Sequence, residues 1–112
     1  MANKFKLHTF DGSSTFANTQ MAVYTAPALT TTVVIGLTIS NITQATLVYI
    51  DVKVNNVDGD QVFLVKGAPV PQGGSIEIMS GNKITLEEGD GILVYSDTAS
   101  SIDTIVSVME QS

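Results

Sequence analysis

His8 is the single histidine of a 112-residue chain without cysteine, and so the one side chain whose ordinary pKa lies near neutral pH. Nucleophilic catalysis needs an activated nucleophile beside a base of suitable pKa. Serine and threonine are plentiful, but they are spread along the chain as strand-surface residues are, and no G-x-S-x-G elbow occurs. The carboxylates are Asp11, Asp51, Asp58, Asp60, Glu77, Glu87, Glu88, Asp90, Asp97, Asp103 and Glu110. Most fall in turn contexts, where Asp serves the backbone. A glycosidase pair would also want an aromatic-rich groove, and the chain has no Trp.

Two oxygen-rich clusters could hold a hard cation: Asn55, Asn56, Asp58 and Asp60, and then Glu87, Glu88 and Asp90. Neither has EF-hand spacing, and Ca²⁺ takes roughly six to eight oxygens. Gly73-Gly74 lacks the Lys-Ser/Thr that would make a phosphate loop. The residues therefore predict a protein that is not an enzyme and uses no cofactor and no metal.

Net charge is -6, from eleven acids and five lysines with no arginine. Arginine is the preferred bidentate partner of phosphates and base edges, and an acidic field repels the nucleic-acid backbone. Nucleic acid and anionic membrane surfaces are thus disfavoured partners. The longest apolar-rich run, Val33 to Ile39, is far short of a membrane helix of about 20 residues. No apolar segment of signal-peptide type follows Lys4 and Lys6. Charged residues make up 14%, against about 25% in ordinary soluble domains, while 44% are hydrophobic. Such a balance fits a protein whose surface is partly covered by other protein.

The elements are β-strands. Lys4 to His8 alternates, and Asp11-Gly12-Ser13-Ser14 is a turn. Phe5, Phe10 and Phe16 place three of the four phenylalanines in residues 1–20. That segment reads either as an edge strand sealing the core or as an arm docking aromatic anchors on a neighbour. Residues 21–112 read as the β-sandwich domain.

Within it, Gln20 to Thr25 is followed by Thr30 to Ser40, with Val33, Ile35, Leu37 and Ile39 expected on one face and Val34 on the other. Thr46 to Val54 places Val48, Ile50, Val52 and Val54 inward and Leu47, Tyr49, Asp51 and Lys53 outward. A one-residue slip there would bury two charges. Asp58-Gly59 marks a hairpin to Gln61–Lys66. Pro69 and Pro71 with Gly73-Gly74 read as a corner. Ser75–Met79, Lys83–Leu86, Ile92–Ser96 and Ile102–Met109 complete the set. In the last strand Ile102, Thr104, Val106 and Val108 face the core, leaving Ile105 and Met109 outside. No segment repeats at helical spacing. The predicted fold is all-β, an antiparallel β-sandwich or jelly roll of about eight strands.

The outward apolar positions Val34, Leu47, Tyr49, Ile105 and Met109, with Phe5, Phe10 and Phe16, are the candidate interface. Scattered surface apolars are normal, so two readings stand at this point: ordinary surface, or a contact for a second chain.

Four runs carry a family resemblance: Tyr24–Asn41 (Y-T-A-P-A-L-T-T-T-V-V-I-G-L-T-I-S-N), Ile50–Val54 (I-D-V-K-V), Phe63–Ser75 (F-L-V-K-G-A-P-V-P-Q-G-G-S) and Lys83–Asp90 (K-I-T-L-E-E-G-D). In this order and spacing they resemble short β-rich virion structural proteins of tailed bacteriophages, notably phages of marine cyanobacteria. The resemblance covers roughly Met21 to Glu110 and leaves residues 1–20 out. Members are named as tail, tail-fibre, neck or head-decoration proteins. It implies a capsid decoration (cement) protein that stabilises the head, with a tail, neck or baseplate accessory as the alternative. The implied partners are the major capsid protein or tail proteins, and further copies of itself, trimers being the first expectation. The implied location is the virion, after synthesis in the host cytoplasm. From a different class, a carbohydrate-binding module would have Tyr24, Tyr49 and Tyr95 as its aromatic material.

Overall fold

The protein is described here by a computed structural model over residues 3–112; Met1 and Ala2, the first residues of the expected arm, lie outside the described residues. Nine strands are present and no helix is found among the described residues: β1 (Asn3–Asp11), β2 (Met21–Thr25), β3 (Thr31–Asn41), β4 (Leu47–Asn55), β5 (Gln61–Pro71), β6 (Ser75–Glu77), β7 (Ile84–Leu86), β8 (Gly91–Ser96) and β9 (Ile102–Gln111). They form two antiparallel sheets. One runs β1-β9-β3-β6, with β7 also paired to β3; the other runs β2-β8-β4-β5. β6 and β7 occupy one position beside β3, so nine strands fill the eight places of a jelly roll.

The core is aliphatic and lies between the sheets: Val34, Leu37 and Ile39 from β3, Val48, Ile50 and Val52 from β4, Ile92 and Val94 from β8, and Ile102, Val106 and Val108 from β9. The alternation expected for β4 and β9 is present in both strands.

β3 corrects the expected parity. Val34 is fully buried while Ile35 is 37% exposed, so Val34 cannot belong to an outer contact surface. The cause is a β-bulge. Val34 opposes Val108 and Gly36 opposes Ser107, which leaves Ile35 as the extra residue. Thr32 and Val34 point inward before the bulge, and Leu37, Ile39 and Asn41 after it. Three consecutive β-branched residues, Val33-Val34-Ile35, offer no polar mark from which the shift could be read.

The expected corner at Pro69 and Pro71 is also corrected. β5 continues through both prolines, pairing Pro69 with Tyr49 and Pro71 with Leu47. β5 is the last strand of its sheet, where a residue without N–H costs no second ladder. The kink falls earlier, at Gly67, whose φ of +67° suits glycine. Its N–H donates to Asp51 Oδ1 at 2.7 Å.

Where β6 ends, a side chain replaces the missing ladder. Glu77 Oε2 accepts from the Leu37 N–H at 2.8 Å and the Met79 N–H at 3.0 Å, and Oε1 accepts from Thr38 Oγ1 at 3.0 Å. The β3–β4 turn is held by buried Asn41. Its Nδ2 donates to the Val70 and Ala45 carbonyls, and its Oδ1 accepts from both Thr43 N–H and Thr43 Oγ1.

Candidate functional site

The period-two pattern of β9 runs one step past Val108 and points Glu110 inward, where it is 6% exposed. A buried carboxylate needs donors. Tyr24 Oη donates to Glu110 Oε2 at 2.6 Å, and the Thr32 hydroxyl stands 2.8 Å from the same Tyr24 oxygen. From β1, Lys6 Nζ lies 3.2 Å from Glu110 Oε1, and His8 Nε2 lies 3.7 Å from Oε2. The His8 ring meets Tyr24 edge to face, with centroids 4.8 Å apart. The Tyr24 hydrogen bond, then Lys6 and the charge of His8, hold the Glu110 carboxyl below its usual 4.5 against the opposing effect of burial. Burial, with the carboxylate beside it, pushes the Tyr24 phenol up to about 12.

This cluster ties four strands together, β1, β2, β3 and β9. Its members, Lys6, His8, Tyr24, Thr32 and Glu110, clasp these strands to one another. Glu110 escaped the sequence reading, although its parity with Ile102, Thr104, Val106 and Val108 was there to be followed.

Because Lys6 and His8 turn inward, their neighbours Phe5 and Leu7 turn outward, 77% and 65% exposed. Register then sets the rows on the outer face of this sheet. Phe5 lies opposite Met109, which lies opposite Val33; Leu7 opposes Ser107; Thr9 opposes Ile105, which opposes Thr38. Ile105 is 44% exposed and Met109 half-buried. Phe5, Leu7, Ile35, Ile105 and Met109 thus form an apolar stripe, with the charges of this face (Asp11, Asp103 and Glu77) kept to its margins. Leu7 and Ile35 were not foreseen. Leu7 shares the alternation of Phe5 and was readable; Ile35 depends on the bulge.

The other candidates go elsewhere. Leu47 and Tyr49 are exposed on the outer face of the second sheet, beside Pro71 and Pro69. Phe63 and Lys53 share that face, Lys53 Nζ standing 4.9 Å from the Phe63 ring centre and 5.2 Å from that of Tyr95. Phe16 is exposed in the β1–β2 connector. Phe10 is a correction: it turns inward and packs against the core, so it is no anchor for a neighbour. Tyr24 is buried, which removes it from any aromatic sugar platform.

Acids of both clusters are engaged with backbone N–H groups of their own and neighbouring turns. Asp90 Oδ1 accepts from Val57 N–H at 2.9 Å and Oδ2 from Glu87 N–H at 3.0 Å, while Glu88 Oε1 accepts from Leu29 N–H. Asn56 and Asp58 each accept a backbone N–H two residues on. A shallow cleft of about 340 Å³ is lined by Thr9, Phe10, Asp11, Asp103, Thr104 and Ile105. Its carboxylates already accept from the N–H groups of Ser13 and Gly12.

No family model and no curated protein matches the chain. Solved structures do. A subunit of the disulfide-linked pili that form Bacillus endospore appendages is 14% identical, with a TM-score of 0.52 over 99% of this chain and 87% of that one. A chain of the acid-stable capsid of Helicobacter pylori bacteriophage KHP30 is 12% identical, with a TM-score of 0.53 over 98% of this chain and 87% of that one. At these identities the likeness establishes the fold.

Proposed function

We propose that this chain is a structural subunit of a tailed-phage particle, a capsid decoration protein that acts through protein–protein contacts and not through catalysis. One observation carries the reading. The outer face of the β1-β9-β3 sheet presents Phe5, Leu7, Ile35, Ile105 and Met109, interspersed with Thr9, Ser107 and Thr38 and without a lysine among them. Interface centres are depleted in charge and rich in such side chains. The order of motifs from Tyr24 to Asp90 and the fold shared with a phage capsid chain support the same direction. The partners are then other virion proteins and copies of the chain itself, and the site of action is the virion.

A second reading, a tail or fibre accessory, draws on a separate observation. Leu47, Tyr49 and Phe63 give the opposite sheet its own exposed apolar face. Contact between two unlike faces of identical subunits makes rings or filaments. The pilus subunit that shares this fold belongs to disulfide-linked fibres; this chain has no cysteine, so its contacts would be non-covalent.

The test is binding of the purified protein to expanded phage heads and to isolated tails, with sedimentation of the protein alone. Saturable binding to heads is the expected result. Binding to tails alone transfers the assignment to the second reading. A monomer that binds neither overturns both.

A further inference from the structure

We infer that β1 is an exchangeable strand, and that the slot it fills along β9 accepts β1 of a second copy of this chain. The inference deepens the reading of the chain as an assembly subunit and rests on it. β9 presents an edge that demands a cover. Between Asp103 and Glu110 it has no lysine and no proline, the residues that usually protect a sheet edge, and Glu110 needs cations from whatever strand lies beside it. β1 meets that demand with Lys6 and His8 on its inner face and Phe10 against the core. β1 is itself the last strand of its sheet and contains Lys4 and Lys6, charges that discourage a further strand from adding there. The slot is therefore matched to this one sequence.

Apart from His8 and Phe10, every residue from Asn3 to Asp11 is exposed, so β1 is held chiefly by its ladder to β9 and by the Glu110 contacts, both of which β1 of a second copy would reproduce. The connector, residues 12–20, could span about 30 Å when extended, more than the 26 Å and 24 Å cross-sections of the sandwich. It is long enough either to fold back or to reach a neighbour. In the exchanged form the Glu110 cluster of one copy is completed by Lys6 and His8 of the other, with the same ladder and the same ion pairs, as strand exchange requires.

The native absence of cysteine makes the test clean. Leu7 and Ser107 are directly opposite on the outer face, within the reach of a disulfide. A chain carrying L7C and a differently tagged chain carrying S107C are co-expressed and oxidised, and the oligomeric fraction is run without reductant. The expected result is a linked heterodimer bearing both tags, also obtained with the pair F5C and M109C. Oligomers in which the mixed single variants stay unlinked, while the double variant L7C/S107C closes a link within one chain, overturn exchange and leave the assembly reading standing. A protein that stays monomeric at every concentration and binds no head overturns both.

Discussion

Tyr24 Oη donates to Glu110 Oε2 at 2.6 Å across 86 positions of sequence, and this bond fastens the second strand of the chain to the last. Lys6 and His8 reach the same carboxylate from β1, so one buried anion organises the sheet that carries the apolar stripe.

Replacing Tyr24 by Phe removes one donor from a buried carboxylate and a partner from Thr32. A hydrogen bond to a charged group contributes about 1.5–3 kcal/mol, and urea unfolding at neutral pH should show a loss of that size. The same variant reports on alkali. With the phenol raised from 10.0 to about 12, the native state keeps the proton more tightly than the unfolded chain. Its contribution is fully present below pH 10 and is lost as pH rises through 12. In Y24F that part of the alkaline decline should vanish. An unchanged decline would show that Tyr24 does not govern it.

Glu110 acts at the acid end. Its folded pKa lies below the usual 4.5, so its stabilisation is present above that value and is lost as pH falls through the folded pKa. E110Q should be less stable than the parent at neutral pH and should unfold with a shallower dependence on pH below about 4.5. Thermal melts from neutral to acid pH read both effects; identical slopes for parent and variant would contradict the assignment.

The bulge in β3 makes adjacent residues respond oppositely. V34A deletes two buried methyl groups and should cost about 2 kcal/mol in chemical denaturation, whereas I35A, which removes a larger group from a 37% exposed position, should cost no more than about 1 kcal/mol. Equal losses would mean that the bulge is misplaced.

Charge on the outer stripe should separate folding from assembly. I105K places an ammonium in the middle of the stripe at a 44% exposed position. Its melting temperature should match the parent while binding to heads and self-association fall at least tenfold, as desolvating an unpaired charge predicts. Y49K on the opposite face is the control: under the decoration reading it leaves head binding intact.

Gly12 is close-packed. A Cβ there would stand 1.8 Å from the Ile102 carbonyl oxygen, so G12A must displace the backbone where β1 leaves β9. A loss of about 2 kcal/mol or more is expected by calorimetry. A variant of parental stability would show that the connector yields freely at this point.

The sequence by itself determined the strand content and the inward faces of β4 and β9: in β4 the charges at Asp51 and Lys53 leave one register without buried charge, and in β9 the alternation of Ile102, Thr104, Val106 and Val108 marks the inner face. It also excluded cysteine chemistry and disfavoured nucleic acid. Tertiary structure decided the rest. The bulge at Ile35 depends on how β3 meets β9, and a run of like residues encodes no such shift. The persistence of β5 through Pro69 and Pro71 depends on its being an edge, a property of sheet order. The meeting of Lys6, His8, Tyr24 and Glu110 depends on pairing the first strand with the last, and local periodicity holds no information about contacts between strands so far apart in sequence.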